Sequence, residues 1–315
     1  MSKFILSTDT CCDDFKSHLK QNNIEYITMS YICEDEVLHD EANSFEDYEN
    51  FYNEMRNGKV FSTTGLNVFE VREYFEYLLK KYNSDILHIS LSSGLSGTYN
   101  IVQSVADELN ENSENKIYVF DSLCATQPQN VLVQYAKSLR DTEMSANEAM
   151  EALSNEVQHL MVYFFLNDLD ALKRGGRISG IQAMMGKALQ LRPLLTFDSE
   201  GKLRVIEKIM GTKKAIKTLM DKLVGQYDEN AEFPITLAYA GENYVNELKN
   251  DIGVLAESMN ETTSKLEEGN KKVEDSLVDI EKMASQMTEI KDKIDEVFSD
   301  IDKQSESTLA QHWLR

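Results

Sequence analysis

Apolar positions along the chain change period repeatedly, and each change marks an element. Short runs rich in Ile, Leu, Val and Phe at 3–7, 25–32, 86–91 and 117–121 read as strands. Between them lie stretches of helical period. Residues 44–55 bring Phe45, Tyr48, Phe51, Tyr52 and Met55 to one face, and 68–82 do the same with Val71, Phe75, Leu78 and Leu79. A third helix is expected at 99–110 and two more up to 159, the last opened by the capping-box sequence Ser145-Ala146-Asn147-Glu148. Apolar strands separated by helices predict a parallel sheet covered on both faces.

After residue 160 the pattern shifts. A strand at 160–166, a short helix at 167–173 and the turn Arg174-Gly175-Gly176-Arg177 are followed by two strands, 192–197 and 203–208. The latter flank Asp198-Ser199-Glu200-Gly201 as a hairpin. A helix at 213–227 and a strand at 235–239 complete a smaller α+β domain. Near 246 the texture changes again. Ile252, Met259, Leu266, Val273, Ile280, Met287, Ile294 and Ile301 recur every seven residues, with a weaker companion seam through Leu255, Thr262, Gly269, Ser276, Met283, Ile290 and Val297. Such heptads predict one long helix, roughly 85–90 Å if unbroken, seeking a partner helix. The expected organisation is an α/β domain over 1–160, a smaller α+β domain over 161–245, and a coiled-coil-like helix over 246–315.

Composition narrows the function. Of 315 residues, 54 are acidic and 32 basic, a net charge of −22, with −14 carried before residue 246 and −8 after it. So acidic a chain is a poor general binder of nucleic acid or of anionic lipid surfaces. No apolar run approaches the length of a membrane span, and the first residues do not read as a secretory signal. Four cysteines (Cys11, Cys12, Cys33 and Cys124) are no disulfide framework, so a reducing cytoplasmic setting is expected.

The most informative segment is the strand 86–91 running into Ser92-Ser93-Gly94-Leu95-Ser96-Gly97-Thr98. In a parallel sheet this loop lies at the carboxyl end of a strand, where ligands bind. Backbone amides and hydroxyls at a helix start suit a carboxylate or phosphate, although Gly and Ser also make ordinary tight turns. Thr63-Thr64 reads either as a helix N-cap or as a second pair of ligand hydroxyls. The basic knot from Lys173 to Arg177 reads as a solvated turn, or as a docking point for an acidic partner or a phosphate. The five histidines show no metal spacing, His88 is expected in the core, and no catalytic set or cofactor site emerges.

Several segments together resemble the DegV family. They are Ser7-Thr8-Asp9-Thr10, Thr63-Thr64, Ser92 through Thr98, Val119-Phe120-Asp121-Ser122, residues 169–179 around Arg174-Gly175-Gly176-Arg177, and Arg192-Pro193-Leu194-Leu195. The resemblance covers about residues 3–245 and implies a two-domain bacterial protein that binds a long-chain fatty acid and presents it to a separate fatty-acid kinase. It also implies a site. The carboxylate would be held by Thr63, with Thr64 beside it, and by Ser93 with the amides of Ser92 and Gly94. The acyl chain would run into a tunnel between the domains, and Arg174 and Arg177 would face the kinase. The family closes with a His-Gly-Pro-Gly-like segment, but this chain has no His-Gly pair, so that carboxylate ligand is expected to be missing. The tail, at 254–259 and 266–273, is similar to the adaptation-region helix of bacterial chemoreceptors.

Three functional readings result. The first is a non-enzymatic fatty-acid carrier. The second is a sensory or scaffold fusion that dimerises through its heptad helix. The third is an enzyme acting on a phosphorylated small molecule, for which no base, metal site or lysine is available at the loop.

Overall fold

The structure, a computed structural model, describes residues 4–41, 44–166, 169–177, 191–226 and 236. The heptad segment lies outside these residues, as does the expected strand 235–239 apart from Thr236.

Four strands form the expected parallel sheet: β1 (Phe4–Asp9), β2 (Ile24–Ile27), β6 (Asp85–Ser90) and β7 (Ile117–Asp121), in the order β2-β1-β6-β7. Side chains alternate between its faces, as a pleated strand requires. Phe4, Leu6, Leu87, Ile89 and Phe120 pack with α1 (Lys16–Gln21), α5 (Gln127–Asp141) and α6 (Ala146–Glu156) through Leu19, Leu132, Val133, Ala136 and Leu153. Ile86, Ile117 and Val119 face α3 (Val68–Tyr82) and α4 (Thr98–Asn112), meeting Val71, Phe75, Leu78, Val102 and Val105. The predicted capping box at Ser145 and Glu148 is formed.

The single strand expected at 25–32 is two. Ile24–Ile27 pairs with β1, whereas β3 (Ser30–Cys33) belongs to a separate antiparallel sheet with β4 (Glu36–His39) and β5 (Phe61–Thr64), order β4-β3-β5. The break is held by one side-chain and one backbone hydrogen bond: the Met29 amide donates to Thr10 Oγ1 at 3.0 Å, and its carbonyl accepts from the Asp40 amide at 2.9 Å. Helix α2 (Phe45–Arg56) follows β4 in the chain, and its Phe51 stacks against Tyr31 and Phe61 of this small sheet.

The second lobe contains β8 (Phe164–Phe165), α7 (Asp170–Arg174), β9 (Leu191–Phe197), β10 (Leu203–Met210) and α8 (Thr212–Val224). Its antiparallel sheet has the order β10-β9-β8, with the predicted hairpin in register from Leu203↔Phe197 to Met210↔Leu191. The strand expected at 160–166 contracts to two residues. Thr196 Oγ1 takes the Val162 carbonyl at 2.7 Å, and ladder pairing is left to Phe164 and Phe165. Leu194, Ile209 and Ala215 form a core between β9, β10 and α8, while Leu195 packs on the opposite side with Phe164 and Leu172.

Candidate functional site

The strand order sends the chain from β1 outward to β2, then back across to β6. The crevice between the carboxyl ends of β1 and β6 is therefore the switch point at which open α/β sheets bind ligands. The Ser/Gly loop leaves β6 directly into it.

Two aspartates at strand ends organise that loop. Asp9, the last residue of β1, is fully buried and accepts hydrogen bonds from the amides of Leu91 (2.8 Å) and Cys11 (3.0 Å) and from Gln129 Nε2 (3.1 Å). Burial pushes its carboxyl above the usual range, and these donors pull it back. Asp121, the last residue of β7, accepts from the amides of Ser93 and Leu123, both at 3.1 Å. In each case a strand ends in Asp followed by a hydroxyl residue, Asp9-Thr10 and Asp121-Ser122. That pattern was visible in the sequence but carried no assigned role there.

The amides of Ser92 and Gly94 are bonded within the loop region as well. Ser92 N donates to the Cys124 carbonyl at 2.9 Å, and Gly94 N donates to Ser92 Oγ at 3.0 Å. Ser92 Oγ in turn donates to the Gly201 carbonyl at 2.8 Å, and Ser92 is fully buried. Ser92 and Gly94 thus brace the loop around Ser93, both of their amides being bonded. Ser96 and Thr98 bond to each other through their hydroxyls at 3.0 Å. Among the described residues, the half-buried Ser93 is the loop serine whose hydroxyl has no partner.

Gly94 is required by close approach. A Cβ there would stand 2.3 Å from the Glu200 carbonyl oxygen, on the β9–β10 turn. Arg177 reaches the loop from the same lobe, its Nε donating to the Leu95 carbonyl at 2.8 Å, with a short second bond from Nη1 to the Gly175 carbonyl. Arg174 is exposed, at the end of α7.

Thr63 and Thr64 lie on β5, paired with Tyr31 and Ser30, and neither caps a helix. The N-cap of α3 is Asn67, whose Oδ1 accepts from the Glu70 amide while Glu70 Oε2 accepts from the Asn67 amide. Thr64 Oγ1 donates to the Gly65 carbonyl at 3.2 Å, and the exposed Thr63 hydroxyl has no described partner. The next residue, Gly65, packs against the Ser/Gly loop's end: a Cβ there would sit 3.4 Å from Thr98 Oγ1. The two hydroxyl segments therefore converge at the start of α4.

A separate cleft of about 520 Å³ opens beside α3, lined by Ser30, His39, Leu66, Tyr74 and Tyr77. Glu41, Glu70 and Glu73 also line it, so its field opposes a carboxylate ligand, and none of Thr63, Ser92, Ser93 or Gly94 borders it. His88 is in the core as expected, its Nδ1 2.8 Å from Ser7 Oγ, which also bonds Tyr74 Oη at 2.6 Å. Burial lowers its pKa to about 3. Among the described residues no group of three or more His, Cys, Asp or Glu is placed to hold a metal, and no helix is long and apolar enough to cross a membrane.

This arrangement of lobes and loop has relatives. The family model for "Uncharacterised protein, DegV family" matches residues 3–270. The chain belongs to the DegV family. The match runs past residue 245 into the segment carrying Ile252, Met259 and Leu266, so the family pattern extends further than the motifs alone indicated. A DegV domain-containing protein of Clostridium perfringens is 33% identical over 241 residues, which is 76% of this chain and 82% of that protein. Among solved structures, a DegV lipid-binding protein from Thermotoga maritima is 26% identical with a TM-score of 0.62, covering 71% of this chain and 77% of its own. DegV of Bacillus subtilis, described as a fatty-acid-binding protein, is 25% identical with a TM-score of 0.62, covering 71% and 78%.

Proposed function

We propose that this DegV-family chain binds a long-chain fatty acid and does not transform it. The carboxylate sits against the hydroxyls of Ser93 and Thr63, with Thr64 beside them, and the acyl chain runs into an apolar space between the two lobes. The observation that carries this reading is the Ser93 hydroxyl, without a partner among the described residues and held at the sheet's switch point in a loop whose Ser92 and Ser96 hydroxyls and Ser92, Ser93 and Gly94 amides are bonded. Relatives with the same fold bind lipid or fatty acid, which supports the ligand class. Burying a long acyl chain at about 0.8 kcal/mol per methylene offers on the order of 10 kcal/mol, ample against the ordering cost. A ligand taken from a membrane or micelle gains far less, which suits a carrier that must also release it.

Delivery to a fatty-acid kinase extends the reading by family resemblance, with Arg174 and the exposed edge of Arg177 on the docking face. In so acidic a chain these two cations are where an acidic surface would be recognised. Native mass spectrometry of the purified full chain tests the core claim. A co-purified long-chain acid, or uptake of added oleate at one per chain, supports it; protein that arrives empty and takes up no oleate removes it.

A further inference from the structure

The second lobe grips the Ser/Gly loop on both sides of Ser93. On one side the Gly201 carbonyl accepts from Ser92 Oγ at 2.8 Å; on the other, Arg177 Nε donates to the Leu95 carbonyl at 2.8 Å. The first of these contacts is tight. Gly201 has φ +68°, and a Cβ on it would fall 2.0 Å from Ser92 Oγ and 2.9 Å from Leu123 Cα. The turn that presents Gly201 is itself rigid. Asp198 Oδ1 accepts from the amides of Glu200 (2.9 Å) and Lys202 (3.0 Å), and the Gly201 amide donates to the Asp198 carbonyl at 2.9 Å. Ser93 lies between these anchors with its amide tied to Asp121, so its backbone is held and the hydroxyl is left only its side-chain rotamers.

We infer that Gly201 and Arg177 are positioning residues: they set the Ser93 hydroxyl for a carboxylate head group without contacting the ligand, and so let the second lobe determine head-group selectivity. The inference rests on the fatty-acid reading above and adds the source of its preference for an acid. A hydrogen bond to a charged acceptor depends steeply on geometry, whereas burial of the acyl chain does not. Loosening the loop therefore weakens acids selectively and leaves chain burial intact.

The test is competition binding of oleate and of oleyl alcohol against a fluorescent fatty acid, on the full chain and on Arg177→Ala, Arg177→Lys and Gly201→Ala. Arg177 is exposed, so its variants report even if Gly201→Ala fails to fold. Arg177→Ala is expected to weaken oleate by about five- to tenfold while oleyl alcohol changes by less than about twofold, the scale of one charge-assisted hydrogen bond. Arg177→Lys keeps the charge but loses the Nε geometry, and is expected to behave like Arg177→Ala. Full recovery by lysine overturns the inference in favour of bare electrostatics. Equal weakening of acid and alcohol overturns it as well, as does unchanged oleate binding in the variants. If the parent chain takes up no oleate, the fatty-acid reading falls and this inference with it; if the parent binds and the variants match it, this inference falls alone.

Discussion

The carboxylate of Asp9 at the end of β1 accepts a 2.8 Å hydrogen bond from the amide of Leu91, 82 residues later in the chain, just beyond the end of β6. One buried side chain thus ties the ends of the two central strands together. It also satisfies the Cys11 amide and Gln129. Asp9→Ala would leave the Leu91 and Cys11 amides without their acceptor and take one of three acceptors from Gln129 Nε2, a loss of about 3 kcal/mol. Urea unfolding of the variant measures it, and a midpoint equal to that of the parent would show that the crevice does not depend on this carboxylate.

His88 provides a pH signature. Its folded pKa is lowered to about 3 by burial, against 6.5 for the ordinary side chain. The unfolded chain therefore binds a proton more readily than the folded one between those values. The stability that depends on neutral His88 is fully present above about pH 6.5 and declines as the pH falls toward about 3, by at most about 1.4 kcal/mol per pH unit. His88→Asn removes the titration. Denaturation midpoints from pH 4 to 7 are expected to fall more steeply for the parent chain than for the variant, and parallel curves would refute the assignment.

Helix α3 begins at a reciprocal capping box between Asn67 and Glu70. Replacing Asn67 by Ala removes the acceptor for the Glu70 amide and should cost about 1 kcal/mol. Asn67→Asp keeps an acceptor and should cost much less. Thermal melts of the two variants separate the cap from a general effect of mutating this exposed position.

At the proposed site, Ser93→Ala and Thr63→Ala each delete a hydroxyl that has no described protein partner. Each should therefore leave the melting temperature close to that of the parent. Each should also weaken oleate by about 1–2 kcal/mol, the net worth of a hydrogen bond to a charged group. Calorimetric titration checks both. Ser92→Ala is expected to differ, lowering stability as well, because that hydroxyl links Gly94 to Gly201.

Much of the fold was legible because it is local or periodic. The boundaries of α3 and β7 coincide with the pattern reading, and the Ser145 capping box and the β9–β10 hairpin formed as expected. The short elements were not legible. β4 and β5 are four residues each, too brief for a period, and the split of 25–32 depends on Thr10 and Asp40, which are distant in sequence. Thr63-Thr64 illustrates the same limit: beside a helix it suggested a cap, but pairing with β3 made it strand, and the cap fell to Asn67.

By itself the sequence determined an acidic α/β chain with a Ser/Gly loop at a strand end and a basic turn in its second lobe, because alternation, capping and glycine chemistry act within a few residues. Only the tertiary structure decided which groups in that loop are bonded among the described residues. Strand-end Asp9 and Asp121 hold loop amides, and Gly201 and Arg177 hold the loop from outside, each across a long separation in sequence. A hydrogen-bond donor is a site only if nothing in the fold has already claimed it, and that is settled by the whole chain's packing.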